Sequence, residues 1–164
     1  AFLLDLVRPM PRKPALAAKR GSAFHAWVER QFAGQLLLGD DVTTSQDDDD
    51  ALQELIAAFE RSPWSGRNPF AVEVPFALTV GAHCIRGRID AVYRDDDGFV
   101  VVDWKTNARD VSDPLQLAIY RRAAAQLYGV PVERVKACFV YVAQGRTAWH
   151  DADYDLEALL SVEG

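Results

Sequence analysis

The 164-residue chain is 49% hydrophobic and 26% charged, with a formal net charge of −6. That is the composition of a soluble globular protein large enough for one domain with a real core, and no apolar run approaches membrane-spanning length. Two cysteines, Cys84 and Cys138, are too few for a four-thiolate zinc or iron–sulfur site. Both lie in apolar, strand-like runs and read as reduced, buried thiols of a cytosolic protein.

A negative charge argues against nucleic acid only if it is evenly spread. Here Asp40, Asp41 and Asp47 to Asp50 carry six negative charges with no Lys or Arg among residues 40–50. The rest of the chain therefore sums to zero, and a DNA-binding face elsewhere is not excluded.

Residues 1–14 begin apolar and end in a proline-rich basic stretch, which reads as a tail or a connection to a preceding segment. Residues 15–164 read as a single domain. A helix is expected over about 15–38, with Phe24, Trp27, Val28, Phe32 and Leu36 as its buried stripe. The acidic stretch 39–50 reads as a solvated loop. A second helix, about 49–61, carries Leu52, Leu55, Ile56 and Phe59. Residues 70–80 read as a strand, and Pro75 makes it an edge strand or a bulged one.

The next two strands, about 83–94 and 99–106, flank Asp95-Asp96-Asp97-Gly98 and read as a β-hairpin. Asp113-Pro114 then starts a helix, with Asp as cap and Pro in the first turn. It stops near Tyr128, before Gly129-Val130-Pro131. A strand over 135–143, a turn at Gln144-Gly145, a short strand over 147–150 and a last helical turn or two from Tyr154 complete the chain. The order predicts an α/β (α+β) fold, a mixed sheet with helices on its faces.

Chemistry concentrates in the hairpin. Strand side chains alternate, so Asp103 and Lys105 share one face, and Val102 and Trp104 take the other. If Asp97-Gly98 is the turn, Asp90 lies opposite Lys105 and diagonal to Asp103. If the loop is centred between Asp96 and Asp97, Asp90 lies opposite Asp103. Either register puts all three on one face. Two carboxylates this close repel unless a cation sits between them, which points to a hard divalent metal. The same residues also describe a surface hairpin with an ordinary salt bridge.

Four stretches in order, Arg20-Gly21-Ser22-Ala23-Phe24-His25-Ala26-Trp27-Val28-Glu29, Gly87-Arg88-Ile89-Asp90, Val102-Asp103-Trp104-Lys105 and Gln116-Leu117-Ala118-Ile119-Tyr120, resemble the RecB-family nuclease domain of the PD-(D/E)XK superfamily. They look most like the C-terminal nuclease domains attached to helicase motors of the AdnAB, AddAB and RecBCD type. The resemblance spans about residues 19–143. It implies the PD-(D/E)XK nuclease fold with an α-β-β-β-α-β core. It also implies a Mg²⁺- or Mn²⁺-dependent deoxyribonuclease.

The metal ligands it implies are His25, Asp90, Asp103 and the Trp104 backbone carbonyl, with Asp90, Asp103 and Lys105 catalytic. Gln116 and Tyr120 would hold substrate or site geometry. Asp103 stands where Glu is commoner. The cluster cysteines of some relatives are missing, so no iron–sulfur cluster is expected, and no nucleotide in this domain. The implied setting is cytoplasmic and nucleoid-associated. A helicase in the same chain or complex would deliver single-stranded DNA or DNA ends during double-strand break repair, with no membrane partner.

Read without the family, several of these residues have plainer roles. His25 lies off the apolar stripe and could be structural. Gln116 could complete a capping box with Asp113, and Tyr120 could be half-buried with a wet hydroxyl. Glu73, on the strand before the hairpin, could reach the site as an outer ligand or stand exposed. Arg86, Arg88, Arg109, Arg121 and Arg122 surround the motifs as candidate phosphate contacts or surface charges. His83 and His150 have no motif support. Two further functions compete: a catalytically silent nuclease-fold module that binds DNA, and a module that docks a motor subunit.

Overall fold

The computed structural model describes residues 23–29, 46–106, 112–151 and 153–161. The tail 1–14, residues 39–45 of the acidic stretch, the outer parts of the first helix with Phe32 and Leu36, and Arg109 lie outside these.

Residues 23–29 are helical (α1). Then come α2 (Gln46–Glu60), β1 (Ala71–Val80), β2 (His83–Asp95), β3 (Gly98–Lys105), α3 (Pro114–Tyr128), β4 (Val135–Tyr141), β5 (Arg146–Trp149) and α4 (Leu156–Ser161). The second helix thus starts earlier than the sequence suggests. Asp47 to Asp50 belong to its first turns, where negative charge suits the helix dipole.

The five strands follow in the order β1-β2-β3-β4-β5. The first three form an antiparallel meander, β3 and β4 run parallel across the α3 crossover, and β5 folds back antiparallel on β4. This is the mixed sheet of an α+β fold. Pro75 lies in β1, at the sheet edge, where a residue without an N–H is tolerated.

Each sheet face has its own core. On one, Phe76, Ile89, Val101 and Phe139 pack under Leu117 and Ile119 of α3 and Leu156 of α4. On the other, Tyr93, Val102 and Trp104 pack under Phe24 and Val28 of α1 and Leu55 and Phe59 of α2. Central β3 is buried on both sides, which is why its sequence reads as nearly continuous Val.

The helix signals between β3 and β4 act locally. The Asp113 carboxylate accepts the Leu115 N–H at 3.0 Å, Pro114 occupies the first turn, and Gly129 takes the left-handed conformation that ends α3. Gly98 has a different reason: a Cβ there would lie 2.0 Å from the Arg134 carbonyl oxygen. Cys138 is buried as expected, but Cys84 is exposed. Its neighbour Ile85 takes the inward position on β2, and alternation turns Cys84 out.

Candidate active site

The register of β2 on β3 pairs Asp95 with Gly98 and Ala91 with Val102. Asp96-Asp97 is therefore the turn, and continuing the ladder sets Asp90 opposite Asp103. Asp90 is held there by β3 itself: its Oδ2 accepts the backbone N–H of Trp104 at 2.8 Å. Asp103 is 5% exposed and lies 2.9 Å from the Lys105 ammonium. Lys105 also sits over the Phe139 ring, 5.3 Å from its centroid.

His25 reaches these groups because its neighbours in sequence anchor α1. Phe24 and Val28 are buried in the core beneath α1 and α2, each burial worth about 1.5–3 kcal/mol. Phe24 and Trp27 both pack on Phe59, which packs edge-on against Trp104. His25, off that stripe, meets the sheet. Its Nε2 lies 3.2 Å from the Trp104 carbonyl. Its Nδ1 lies 3.3 Å from Asp90 Oδ1 and 3.8 Å from Glu73 Oε1. Trp104 thus anchors the fold with its side chain and faces the site with its carbonyl.

Glu73 is nearer the centre than an outer position would suggest. Ligand atoms of His25, Glu73 and Asp90 all lie within 4.8 Å of one another. The backbone explains how. Val74 and Ile89 pack with the core under α3, whereas Val72 and Ala91 pack with the core under α1 and α2. The in-out alternation therefore slips by one residue at Glu73 on β1 and at Asp90 on β2. These two residues fall between the Val72–Ala91 and Val74–Ile89 pairs of the register. Glu73 has φ of 48°, in the left-handed region, a strained state for a non-glycine strand residue. The slip gathers both carboxylates at the His25 ring.

Gln116 does not form a capping box. Its amide instead donates to the Tyr120 hydroxyl at 2.8 Å. Tyr120 is buried rather than wet, 5% exposed, with its ring against Phe76. Burial, and then the negative charges of Asp103 and Asp90, raise its pKa.

The candidate phosphate contacts separate. Arg121 is buried and gives its guanidinium to the carbonyls of Val135, Asp151 and Val132, so it braces the crossover. Arg122 is paired with Glu157. Arg88 lies 3.8 Å from Glu73, and Arg86 is exposed on β2. His83 is exposed, and His150 packs edge-on to Phe139.

Electrostatics follow from this crowding. Burial alone would lower the His25 pKa, but hydrogen bonds to Asp90 and Glu73 and the charges of Asp90 and Asp103 push it up to about 10. Asp90 resists burial and is held below its ordinary value, first by the His25 hydrogen bond. Asp103 is raised by burial and then by the Asp90 charge, with Lys105 opposing. The His25 imidazolium then sits with Asp90 and Glu73, as the Lys105 ammonium sits with Asp103. The donor set is carboxylates, one backbone carbonyl and one imidazole. It fits a hard divalent cation, which would relieve the same repulsion.

Comparisons with known proteins agree with this architecture. The family model of the PD-(D/E)XK nuclease superfamily matches residues 50–159. The Gene 69 protein of Mycobacterium phage D29 is 33% identical over 86 residues, 52% of this chain and 32% of that protein. A solved structure from Eubacterium rectale, assigned as an exonuclease, superposes with a TM-score of 0.60 at 18% identity, covering 94% of this chain and 66% of that one. The chain thus spans about a third of the phage protein and just under two thirds of the E. rectale chain.

Proposed function

The chain belongs to the PD-(D/E)XK nuclease superfamily, and from that premise we propose that it is a Mg²⁺- or Mn²⁺-dependent deoxyribonuclease of the RecB type. One observation carries the reading: His25, Glu73, Asp90 and the Trp104 carbonyl converge beside the Asp103–Lys105 pair. Carboxylates, a carbonyl and an imidazole next to a lysine suit metal-assisted phosphodiester hydrolysis.

His25, Asp90, Asp103 and the Trp104 carbonyl would hold the cation, with Glu73 beside them. The cation, when bound, supplies Lewis acidity at the scissile phosphate. His25 must lose its proton to become a ligand, so binding releases that proton. Asp103 holds the Lys105 ammonium 2.9 Å away, which aims it at the water or oxyanion beside the acids. Gln116 fixes the Tyr120 hydroxyl behind the carboxylates and keeps that wall of the site rigid.

The RecB-like order of the four motifs supports a working context in which a helicase motor, in the same chain or complex, delivers single-stranded DNA during break repair. The chain's net charge of −6 agrees with it, since affinity would then come from the motor and the tether. None of the described helices is long and apolar enough to cross a membrane.

The test is incubation with labelled single-stranded DNA and Mn²⁺ or Mg²⁺, beside Asp90→Ala, Asp103→Ala and Lys105→Ala. Cleavage by the wild type and its loss in the variants, by about 10²-fold or more for the lysine, is expected. Equal cleavage by all four proteins would sink the assignment.

A further inference from the structure

The ladder continues beyond the acids. Lys105 of β3 is in register with Tyr141 of β4, and Tyr141 with Arg146 of β5. Residues opposed in a ladder share a sheet face. Lys105, Tyr141 and Arg146 therefore form one row on the face of Asp103, running from the site to the β5 edge. The span from Lys105 to Arg146 is two strand spacings, about 10 Å.

The Arg146 guanidinium lies over the Tyr141 ring, 4.3 Å from its centroid, and Tyr141 is itself half-buried against the core under α3. A guanidinium stacked on a ring keeps its in-plane N–H donors free to point outward. Three other cations of the fold meet carboxylates or carbonyls instead: Arg122 with Glu157, Lys136 with Asp95, and Arg121 with three carbonyls. Among the described residues, no carboxylate pairs with Arg146.

We propose that Arg146 binds the phosphate of a nucleotide next to the scissile one, with Tyr141 as the platform that orients it. The inference rests on the nuclease reading and deepens it. The substrate strand would cross the sheet from the acids, past Lys105, to the β5 edge. The planar donor fork of arginine suits a phosphate, and ring stacking removes much of the entropy that a free arginine loses on binding.

The experiment measures cleavage of labelled oligothymidylate, and its binding with Ca²⁺ in place of Mg²⁺, over a range of salt. Wild type, Arg146→Ala, Arg146→Lys, Tyr141→Leu and the distant control Lys136→Ala are compared. Arg146→Ala is expected to raise KM about tenfold and to lower the salt slope of binding by roughly 0.7, the value for one single-strand phosphate contact. Arg146→Lys should keep the slope and still raise KM, and Tyr141→Leu should raise KM with the slope retained. Lys136→Ala should match wild type. Wild-type cleavage together with an unchanged slope and KM in Arg146→Ala overturns this inference and leaves the nuclease reading standing. A wild type that neither cuts nor binds the oligonucleotide overturns both.

Discussion

Asp90 accepts the backbone N–H of Trp104 at 2.8 Å, so one acid is positioned by the strand that carries the other. The Trp104 carbonyl faces His25 from the same residue. Asp90→Asn retains an oxygen that can accept this N–H but removes the charge at His25. The fold should persist, and the His25 pKa should fall back toward its ordinary 6.5, read by NMR titration of the ring. Thermal stabilisation by Mn²⁺ should be lost in the same variant. A His25 that still titrates near 10 in Asp90→Asn would show that Asp90 is not its main charge partner.

The metal-free protein should lose stability as pH rises. His25 has a folded pKa of about 10, above its ordinary 6.5. Its contribution is therefore complete below about 6.5 and vanishes as pH rises through about 10. Asp103 is also raised, so it has the same sign from its ordinary value upward. Asp90 is depressed and adds stability that is lost only on acidification. Calorimetry in EDTA should show the thermal midpoint falling between pH 6.5 and 10, and His25→Ala should flatten that fall. Because cation binding requires the deprotonated ring, the gain from added Mn²⁺ should be larger at pH 8.5 than at pH 6. A gain that is equal at both would argue that His25 is not a ligand.

The Gln116–Tyr120 bond offers a separate handle on α3. Tyr120→Phe leaves the Gln116 amide without its acceptor beside buried surface, at a cost of about 1–2 kcal/mol. Gln116→Leu removes the donor. A double-mutant cycle by urea unfolding should return a coupling of about 0.5–1.5 kcal/mol. Additive effects would mean the bond adds nothing to stability, and its use would then have to be sought in cleavage kinetics.

What could be read from the chain alone was local. Asp113, Pro114 and Gly129 announce both ends of α3, and Asp95 to Gly98 announce the hairpin, because the residues that set each feature are neighbours in sequence. The place of Glu73 is not local. It depends on a left-handed residue inside β1 and on a matching slip at Asp90, and an alternating apolar pattern cannot reveal either. Cys84 shows the reverse error: apolar neighbours suggested burial, while the two-residue period sends it outward. Arg121 reads as a phosphate contact or a surface charge, and neither reading foresees the three carbonyls that the crossover and the segment after β5 bring to it. Gln116 stood three residues after a cap and four before a tyrosine, and nothing in the sequence chooses between those partners.

Gly98 is the position where the fold leaves least room. Its backbone passes the Arg134 carbonyl so closely that an added Cβ would sit 2.0 Å from the oxygen and 2.9 Å from the Arg134 Cβ. Neither neighbour is the flexible end of a side chain. Gly98→Ala must therefore push the start of β3 away from the turn before β4, and that strand carries Asp103 and the Trp104 N–H that holds Asp90. A loss of about 2–3 kcal/mol is expected, together with impaired cleavage. Gly145→Ala is the comparison. Gly145 has φ of 63° in the β4–β5 turn with open space around it, so alanine there costs only backbone strain, about 1 kcal/mol. Urea unfolding of the two variants separates the causes. If Gly98→Ala is no worse than Gly145→Ala, the close approach is not a constraint, and the glycine at the hairpin serves the turn alone.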